Sequence, residues 1–379
     1  MGASSNDFPA HLISLRASLN NTSITNYNES VRFAISIEQY LEEILQFART
    51  ESGKDDLMGV KMFAAKLPIA SGSIPWSHVH IGPVKDKIQD LKKKLTIKRP
   101  GSNDTTESIH NIRWTLLNEI ELVLISIAFI YIKVGSELTN EIIDEEYSNQ
   151  QESNEKWKQV VNLFKTSISY SLFGISLKSH NATLYTFVNK VAEVCIQMSI
   201  LSKSSWINRG QFNENEAFQT TNNGTLARVA VYVNNEIRSL KNMIVELQAS
   251  NNIQLDSSHW IEYLNIIEKY SQAYTGLFLS IENYQQDKLG HAIGLVHFSL
   301  LSLQSKRVDE STNKLKNKIL NKRNDNLLNK LNSLSTLDIN KSIFNSSQIT
   351  LNDMSYLFDQ LIKLNLKFEK ENNNLNIKH

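Results

Sequence analysis

The chain has 379 residues, which is enough to bury a large core in one elongated domain or in two compact ones. Its 13 glycines and 5 prolines are roughly half and a quarter of the usual share, which disfavours turn-rich sandwiches and glycine-dependent nucleotide folds and favours an all-α fold. Its 40 basic and 39 acidic residues give a net charge of +1, so no overall field draws the protein onto nucleic acid.

The N-terminal third alternates amphipathic helices with one irregular segment. Apolar residues recur at steps of three and four over residues 33–47 and 58–67, and this spacing predicts two helices, the second ending before Pro68. Glycine, proline and tryptophan in the next stretch predict an irregular crossing, with a small β element near residues 68–83. A basic helix is predicted over residues 85–95.

The strongest core candidate is the segment 109–138, which is apolar on most sides of a helix and therefore needs neighbours around it. Its longest apolar run, residues 122–132, is far shorter than the ~20 residues that a membrane-spanning helix needs, and the N-terminus lacks the order of a signal peptide. The single Cys195 has no disulfide partner, which fits a reducing compartment. A soluble intracellular protein with a buried structural thiol is expected.

Helical spacing continues towards the C-terminus, with helices predicted at 157–173, 183–202, 225–248, 258–284 and 288–304 and from about residue 350 onward. The joint at residues 285–287 makes an antiparallel hairpin the simplest arrangement of its two flanking helices. The small residues Gly290, Ala292 and Gly294 predict that these two helices approach closely. The spacing from Thr350 to Asp353 predicts a capping box at the start of the last helix.

Polar and asparagine-rich composition predicts mobile segments within a single domain that spans residues 1–379. These segments are 1–10, 99–107, 147–156, 208–223, 306–347 and 372–379. No sequence repeat of fixed period is convincing, although successive helical hairpins can form a solenoid-like body without one.

Motifs that carry chemistry are few. Ser52-Gly53-Lys54 resembles the end of a phosphate loop, but the upstream glycine and the following hydroxyl are missing. His78 and His80 have no nearby Cys, Asp or Glu to complete the usual ligand set of zinc. No metal, cofactor or catalytic residue is predicted, and the chain is interpreted as non-enzymatic. An enzyme whose site is assembled from distant residues stays a third hypothesis.

Two basic clusters indicate a different function. The first contains Lys92, Lys93 and Lys94, and the second lies within residues 314–323. Each could meet anionic lipid or an acidic partner, although a run of charge is usually an ordinary solvated surface. A helical peripheral-membrane module that binds anionic lipid through these clusters is therefore the alternative hypothesis.

Three short segments occur in an order and at a spacing that resemble a known family. Residues 225–230 (TLARVA) resemble an aliphatic-Ala-basic-aliphatic-Ala helix, and residues 288–293 (KLGHAI) are similar to a motif that opens a long hairpin helix. Residues 366–372 (LKFEKEN) resemble a Lys-aromatic-x-Lys-Glu-Asn ending. Together they resemble the Bro-one domain family, the helical ESCRT-binding domain of ALIX, and above all its fungal PalC-like members. The chain departs from the family at His291, where an acidic residue is often found.

The resemblance implies a boomerang-shaped domain with a core of stacked antiparallel helical hairpins, similar to TPR repeats. It also implies an adaptor that binds the C-terminal amphipathic helix of an ESCRT-III filament subunit. By the residue match, Leu226, Val229 and Val233 would form an apolar patch on the helix 225–248, and Arg228 would meet acidic residues of the bound helix.

The resemblance further implies a cytoplasmic protein recruited to endosomal or plasma-membrane ESCRT sites, in fungal alkaline-pH signalling that leads to transcription-factor processing, or in endosomal sorting. No cofactor and no nucleic acid are expected, and membrane association would come through partners. The periodicity alone leaves another interpretation open, because Leu226, Val229 and Val233 also fit the core-facing side of an ordinary helix.

Overall fold

The computed structural model describes residues 8–71, 74–77, 80–81, 113–145, 150–208, 222–250, 253–255, 257–303 and 348–376. Most of these residues lie in helices, which confirms the prediction of an all-α fold. The helices are α1 Ala10–Asn20, α2 Tyr27–Ser52, α3 Leu57–Lys66, α4 Leu116–Asp144, α5 Gln150–Ser176, α6 Ala182–Asn208, α7 Asn223–Ser250, α8 Ser257–Gln285, α9 Leu289–Ser302 and α10 Gln348–Asn376. The basic helix predicted at residues 85–95 lies outside the described residues.

Four short strands form two antiparallel pairs. β1 (Pro68–Ser71) pairs with β3 (Arg113–Thr115), with an irregularity between Pro68 and Ala70, and β2 (His80–Ile81) pairs with β4 (Ile253–Gln254). The small β element predicted near residues 68–83 is therefore present. β3, which pairs with β1, lies in the segment 109–138 that was predicted to be helical. Arg113, Trp114 and Thr115 instead form a strand before α4 begins at Leu116.

The chain divides into two compact units, each built from three or more separate segments. Unit 1 comprises Met1–Glu137, Asn162–Glu193 and Asn242–Ser257, and unit 2 comprises Leu138–Val161, Val194–Lys241 and Ser258–His379. The boundaries fall inside α4, α5, α6 and α7, so each of these helices contributes residues to both units.

α4 provides much of the core of unit 1, as its apolar spacing predicted. Ile120, Leu124, Ile127 and Val134 are each at most 5% exposed. At 29 residues, α4 is also the one helix among the described residues that is long and apolar enough to cross a membrane, and 56% of its most apolar window is buried. Core helices of soluble proteins meet the same criterion, so this length is weak evidence for a membrane span.

A buried carboxylate at the start of α4 connects four other parts of unit 1. The Oε1 atom of Glu119 accepts hydrogen bonds from Tyr40 Oη at 2.5 Å and from the Arg16 guanidinium at 3.4 Å. Its Oε2 atom accepts from the indole nitrogens of Trp114 at 2.6 Å and Trp76 at 2.9 Å. Glu119 is fully buried, so these four donors satisfy a charge that would otherwise be costly to bury.

A second buried carboxylate, Glu121, lies two residues further along α4. Its Oε2 atom accepts from Asn181 Nδ2 at 2.9 Å, and Asn181 Oδ1 in turn accepts from the backbone N–H of Ile253 at 3.3 Å. Burial raises the pKa of the Glu121 carboxyl, and hydrogen bonds from Ser179 and Asn181 with the charge of Lys61 only partly oppose the increase. Glu121 is therefore a buried acid whose charged form the fold disfavours.

We expect Glu121→Gln to stabilise the protein more at pH 8 than at pH 5. Because the folded pKa of Glu121 is raised, its contribution to stability is fully present below the unfolded pKa of about 4.3. That contribution is lost as the pH rises through the folded pKa, and glutamine has no such loss. The measurement is the difference in the free energy of unfolding between variant and wild type, from urea titrations at both pH values. A difference that does not change with pH would contradict the prediction.

In unit 2, α8 and α9 form the hairpin predicted from their spacing, but the residue that allows close approach is a different one. A Cβ added at Gly276 of α8 would lie 1.9 Å from Ser299 Oγ and 2.7 Å from the backbone oxygen of Leu295, both on α9. Gly290 and Gly294 have nothing described within 4 Å of the same position. The prediction that these two glycines bring the helices together is therefore wrong, because they lie on the exposed side of α9.

Within unit 2, α10 packs against its neighbours through buried polar groups as well as through an apolar stripe. Asp353 Oδ2 accepts from Ser202 Oγ at 2.8 Å and from Tyr274 Oη at 2.7 Å. One heptad further, Gln360 accepts from Ser205 Oγ at 2.8 Å and donates to the Ser205 backbone oxygen at 3.2 Å. Asp353 faces this interior rather than capping the helix, which already begins at residue 348, so the predicted capping box is wrong.

Three of the segments predicted to be mobile contain residues that the structure places in helices or in the core. Phe8 is buried and packs edge-on against Phe47, with ring centroids 5.9 Å apart. Residues 150–156 form the first turns of α5, where Lys156 donates to the Glu145 carboxylate at 2.6 and 2.8 Å, and residues 372–376 continue α10. The segments 99–107 and 306–347, and most of 208–223, lie outside the described residues.

The segment Ser52-Gly53-Lys54, which resembles the end of a phosphate loop, lies at the C-terminal end of α2. Gly53 follows α2 with a φ of 57°, and its N–H donates to the backbone oxygens of Arg49 and Thr50. This left-handed glycine is a common way to end a helix. The Ser-Gly-Lys sequence is thus explained by the cap of α2 and needs no nucleotide.

Candidate partner-binding surface

α7 carries the residues that the sequence singled out for partner binding. Asn222, just before the helix, has a φ of 67°, and its backbone oxygen accepts from the N–H groups of Thr225 and Leu226. Residues at steps of three and four then form the buried stripe of the helix. This stripe consists of Ala227, Ala230, Val233, Ile237, Leu240, Ile244 and Leu247, all at most 5% exposed.

Polar contacts in unit 2 hold α7 against α8. Near the start of α7, the Gly224 N–H donates to Glu282 Oε2 at 3.2 Å, and Asn223 Nδ2 donates to Gln285 Oε1 at 3.2 Å. About four turns further, Arg238 and Lys241 both pair with Glu268. These contacts fix which side of α7 faces away from α8.

The four predicted patch residues differ in their exposure to solvent. Leu226, in the first turn of α7, is half-buried in line with the buried Ala230 and Val233. Val229 is half-buried at the border of the stripe, and Arg228 is exposed. Val233 is 0% exposed, so it belongs to the core of unit 2, and the surface position predicted for it is wrong. The reason is its position in the middle of the buried stripe, between Ala230 and Ile237.

The exposed residue that extends this border is Tyr232, which is 47% exposed. It lies three residues after Val229 and four after Arg228, so the three side chains share one side of the helix. The Arg228 guanidinium donates to the Gly224 backbone oxygen and to Thr225 Oγ1, both at 3.3 Å. Sequence reasoning missed Tyr232, although its spacing from Arg228 and Val229 was a sufficient signal. We refer to Arg228, Val229 and Tyr232 as the α7 edge.

The α7 edge can contact another helix. The half-buried Val229 and the ring of Tyr232 offer apolar contact area, and the adjacent guanidinium of Arg228 offers charge-assisted hydrogen bonds. Arg228 makes its intrahelical bonds only to a carbonyl and a hydroxyl, so the α7 edge presents a cation without a carboxylate among its described contacts.

The other sequence candidates do not add a chemical site. Lys92, Lys93 and Lys94, together with His78, lie outside the described residues. His291 is exposed, and His297 Nε2 is 3.7 Å from Glu369 Oε1. Within the described ranges there is no group of three or more His, Cys, Asp or Glu side chains that could hold a metal ion.

The one cysteine is poorly suited to act as a nucleophile. Burial raises the pKa of the Cys195 thiol to about 12, so the reactive thiolate is scarce at neutral pH. Burial also raises the pKa of the nearby Tyr263 hydroxyl, with a further increase from Cys195. Both groups are therefore neutral at physiological pH.

Comparison with known proteins identifies a family but no function. Curated proteins and solved structures contain no match to the chain. A family model described as a family of unknown function, DUF5355, matches residues 114–379. The matched region includes α4 to α10, and therefore the whole α7 edge. Since it covers more than half of the sequence, the chain belongs to the DUF5355 family of unknown function.

Proposed function

We propose that the protein is a non-enzymatic adaptor, similar to Bro-one domains, that binds the C-terminal amphipathic helix of an ESCRT-III filament subunit. The observation that carries the proposal is the position of the α7 edge. Residues 225–230 resemble the family's patch helix, and three of them, Leu226, Arg228 and Val229, are exposed or half-buried. The all-α fold with its α8–α9 hairpin is consistent with this assignment.

The chemistry of the α7 edge defines the ligand. An amphipathic helix would lay its apolar side against Val229 and the ring of Tyr232, and aliphatic and aromatic anchors of this kind supply most of the affinity in helix recognition. Arg228 would pair with an acidic side chain at the border of that apolar side, which sets the orientation of the bound helix.

In this proposal the protein acts in the cytoplasm and reaches endosomal or plasma membranes through its partners. Its pathway would be fungal alkaline-pH signalling that leads to transcription-factor processing, or endosomal sorting. The adaptor forms no covalent bond and needs no cofactor, so binding alone is its activity.

We expect the full chain to bind a peptide of that ESCRT-III helix with a micromolar dissociation constant, about −8 kcal/mol. Val229→Asp and Tyr232→Asp should each weaken binding about ten-fold or more, because a carboxylate would replace an apolar contact. Arg228→Glu should weaken binding to acidic peptide most strongly at low salt. Fluorescence anisotropy or calorimetric titration measures these changes.

The matched control is Val245→Asp. Val245 is 67% exposed and lies on the same helix, 13 residues beyond Tyr232 and therefore more than three turns from the α7 edge. Its replacement should change the dissociation constant less than two-fold, and circular dichroism should show wild-type helicity for all the variants. Absence of binding by the wild type would refute the assignment, and an equal loss in Val245→Asp would show that the α7 edge is not the site.

A further inference from the structure

α3 presents an apolar surface to solvent in unit 1. Asp56 caps the N-terminus of this helix, because its Oδ1 atom accepts from the Gly59 N–H at 2.7 Å. Val60 and Ala64 are the two buried residues of the helix. Its solvent side carries long apolar side chains, which would usually be polar on a ten-residue surface helix. These are Leu57 at 43%, Met58 at 56% and Met62 at 54% exposure.

Lysines border this surface on both sides. With 3.6 residues per turn, Met58 and Met62 lie between Lys61 on one side and Lys66 on the other. Lys61 Nζ donates to the Lys178 backbone oxygen at 3.3 Å, and Lys66 is exposed. A third lysine, Lys54, packs its stem near Gly59, where an added Cβ would come within 2.9 Å of the Lys54 Cβ and Cγ atoms.

The acidic residues within α3 and the four positions on either side of it are Asp55 and Asp56, at its N-terminal end. Asp56 is engaged with the helix N-terminus, where the positive end of the helix dipole compensates its charge. Asp55 is exposed beside it. The charged residues of α3 itself that border Met58 and Met62 are therefore lysines.

We propose that this face of α3 binds the surface of an anionic lipid bilayer, with Leu57, Met58 and Met62 entering the boundary between headgroups and acyl chains. Lysine stems lie along apolar surface while their ammonium groups stay in water, which matches this depth. Protein interfaces, by contrast, are depleted in lysine. The site is separate from the α7 edge and does not depend on the proposed function.

The face is small, so its binding is weak and reversible. A ten-residue helix inserts few side chains, and stable anchoring needs a second signal. Each lysine near an anionic surface strengthens binding about five-fold at physiological ionic strength, and this part weakens as salt increases.

The test is sedimentation of the full chain with vesicles of pure phosphatidylcholine and with vesicles that also contain about 30% phosphatidylserine, a strongly anionic composition. We expect binding to the anionic vesicles only. The double variant Met58→Ser/Met62→Ser should reduce it about ten-fold or more, and Lys54→Gln/Lys66→Gln should reduce it about 25-fold at physiological ionic strength. The matched control is Ile13→Ser/Ile35→Ser, which removes two side chains of 45% and 60% exposure from α1 and α2.

Selective loss in the α3 variants, with binding retained by the control, supports the proposal. All changed residues are exposed, so circular dichroism should show unaltered helicity. The proposal is overturned if the wild type binds neither vesicle, if it binds both equally, or if Met58→Ser/Met62→Ser binds as the wild type does. If this face binds a protein partner instead of lipid, the wild type will bind neither kind of vesicle.

Discussion

Replacement of Glu119 by alanine is expected to lower the free energy of unfolding by about 3 to 5 kcal/mol. The substitution removes one buried carboxylate and leaves Arg16, Tyr40, Trp76 and Trp114 without their shared acceptor. The side chain of Arg16 is only 9% exposed. Its buried guanidinium would therefore lose its counterion. Urea unfolding followed by circular dichroism and tryptophan fluorescence measures the loss.

Glu119→Gln distinguishes the charge and acceptor roles of this carboxylate from its volume. Each oxygen of Glu119 receives two donors, whereas glutamine offers one oxygen and one NH₂ group. If the NH₂ group takes the place of Oε2, both indole N–H groups face a donor; if it takes the place of Oε1, the Arg16 guanidinium faces a donor and the Tyr40 hydroxyl must turn to accept. We therefore expect a loss of about 2 kcal/mol or more although the shape is preserved.

The control is Glu155→Ala, which breaks an exposed pair with Lys158 and should change stability by less than about 0.5 kcal/mol. Wild-type stability of Glu119→Gln would contradict the assigned role.

The Glu119 cluster also marks the limit of what the sequence can predict here. Helical periodicity placed the helices and their buried sides because that signal is local, repeating every three or four residues. The four donors to Glu119 come from α1, α2, the segment 74–77 and β3, up to 103 positions away along the chain. No pattern in a single sequence indicates that these residues meet. The sequence therefore placed Trp76 only in an irregular crossing.

The α7 edge illustrates a second limit. Apolar spacing defines the centre of a buried stripe well but not its borders, because the width of the stripe depends on how closely neighbouring helices pack. Leu226, Val229 and Val233 fit the same spacing, yet only Val233 is fully buried. The resemblance singled out α7, and in the structure Tyr232 rather than Val233 is the exposed residue that follows Val229.

Gly276 and Gly294 are expected to respond in opposite directions to replacement by alanine. At Gly276 the new Cβ would overlap Ser299 Oγ and approach the backbone oxygen of Leu295, so we expect a loss of about 2 to 3 kcal/mol from strain between α8 and α9. At Gly294 the same atom meets nothing described within 4 Å. Alanine there should stabilise by about 0.5 to 1 kcal/mol, because it removes the entropic cost of glycine in a helix.

Thermal and urea unfolding of the two variants gives the comparison directly. Both substitutions add one methyl group to a helix interior, so helix propensity favours alanine equally in each, and any difference in sign comes from packing. Equal effects of the same sign would show that α8 and α9 are not in close contact at Gly276.

A double variant then identifies the atoms responsible for the strain. Ser299→Ala removes the hydroxyl that lies nearest to the added Cβ, but it leaves the backbone oxygen of Leu295, at 2.7 Å, in place. We therefore expect Gly276→Ala/Ser299→Ala to recover about half of the stability lost by Gly276→Ala, a coupling of about 1 kcal/mol between neighbouring residues. Full recovery would assign the strain to the hydroxyl alone. No recovery would assign it to the backbone of α9, which cannot move away without disturbing the hairpin.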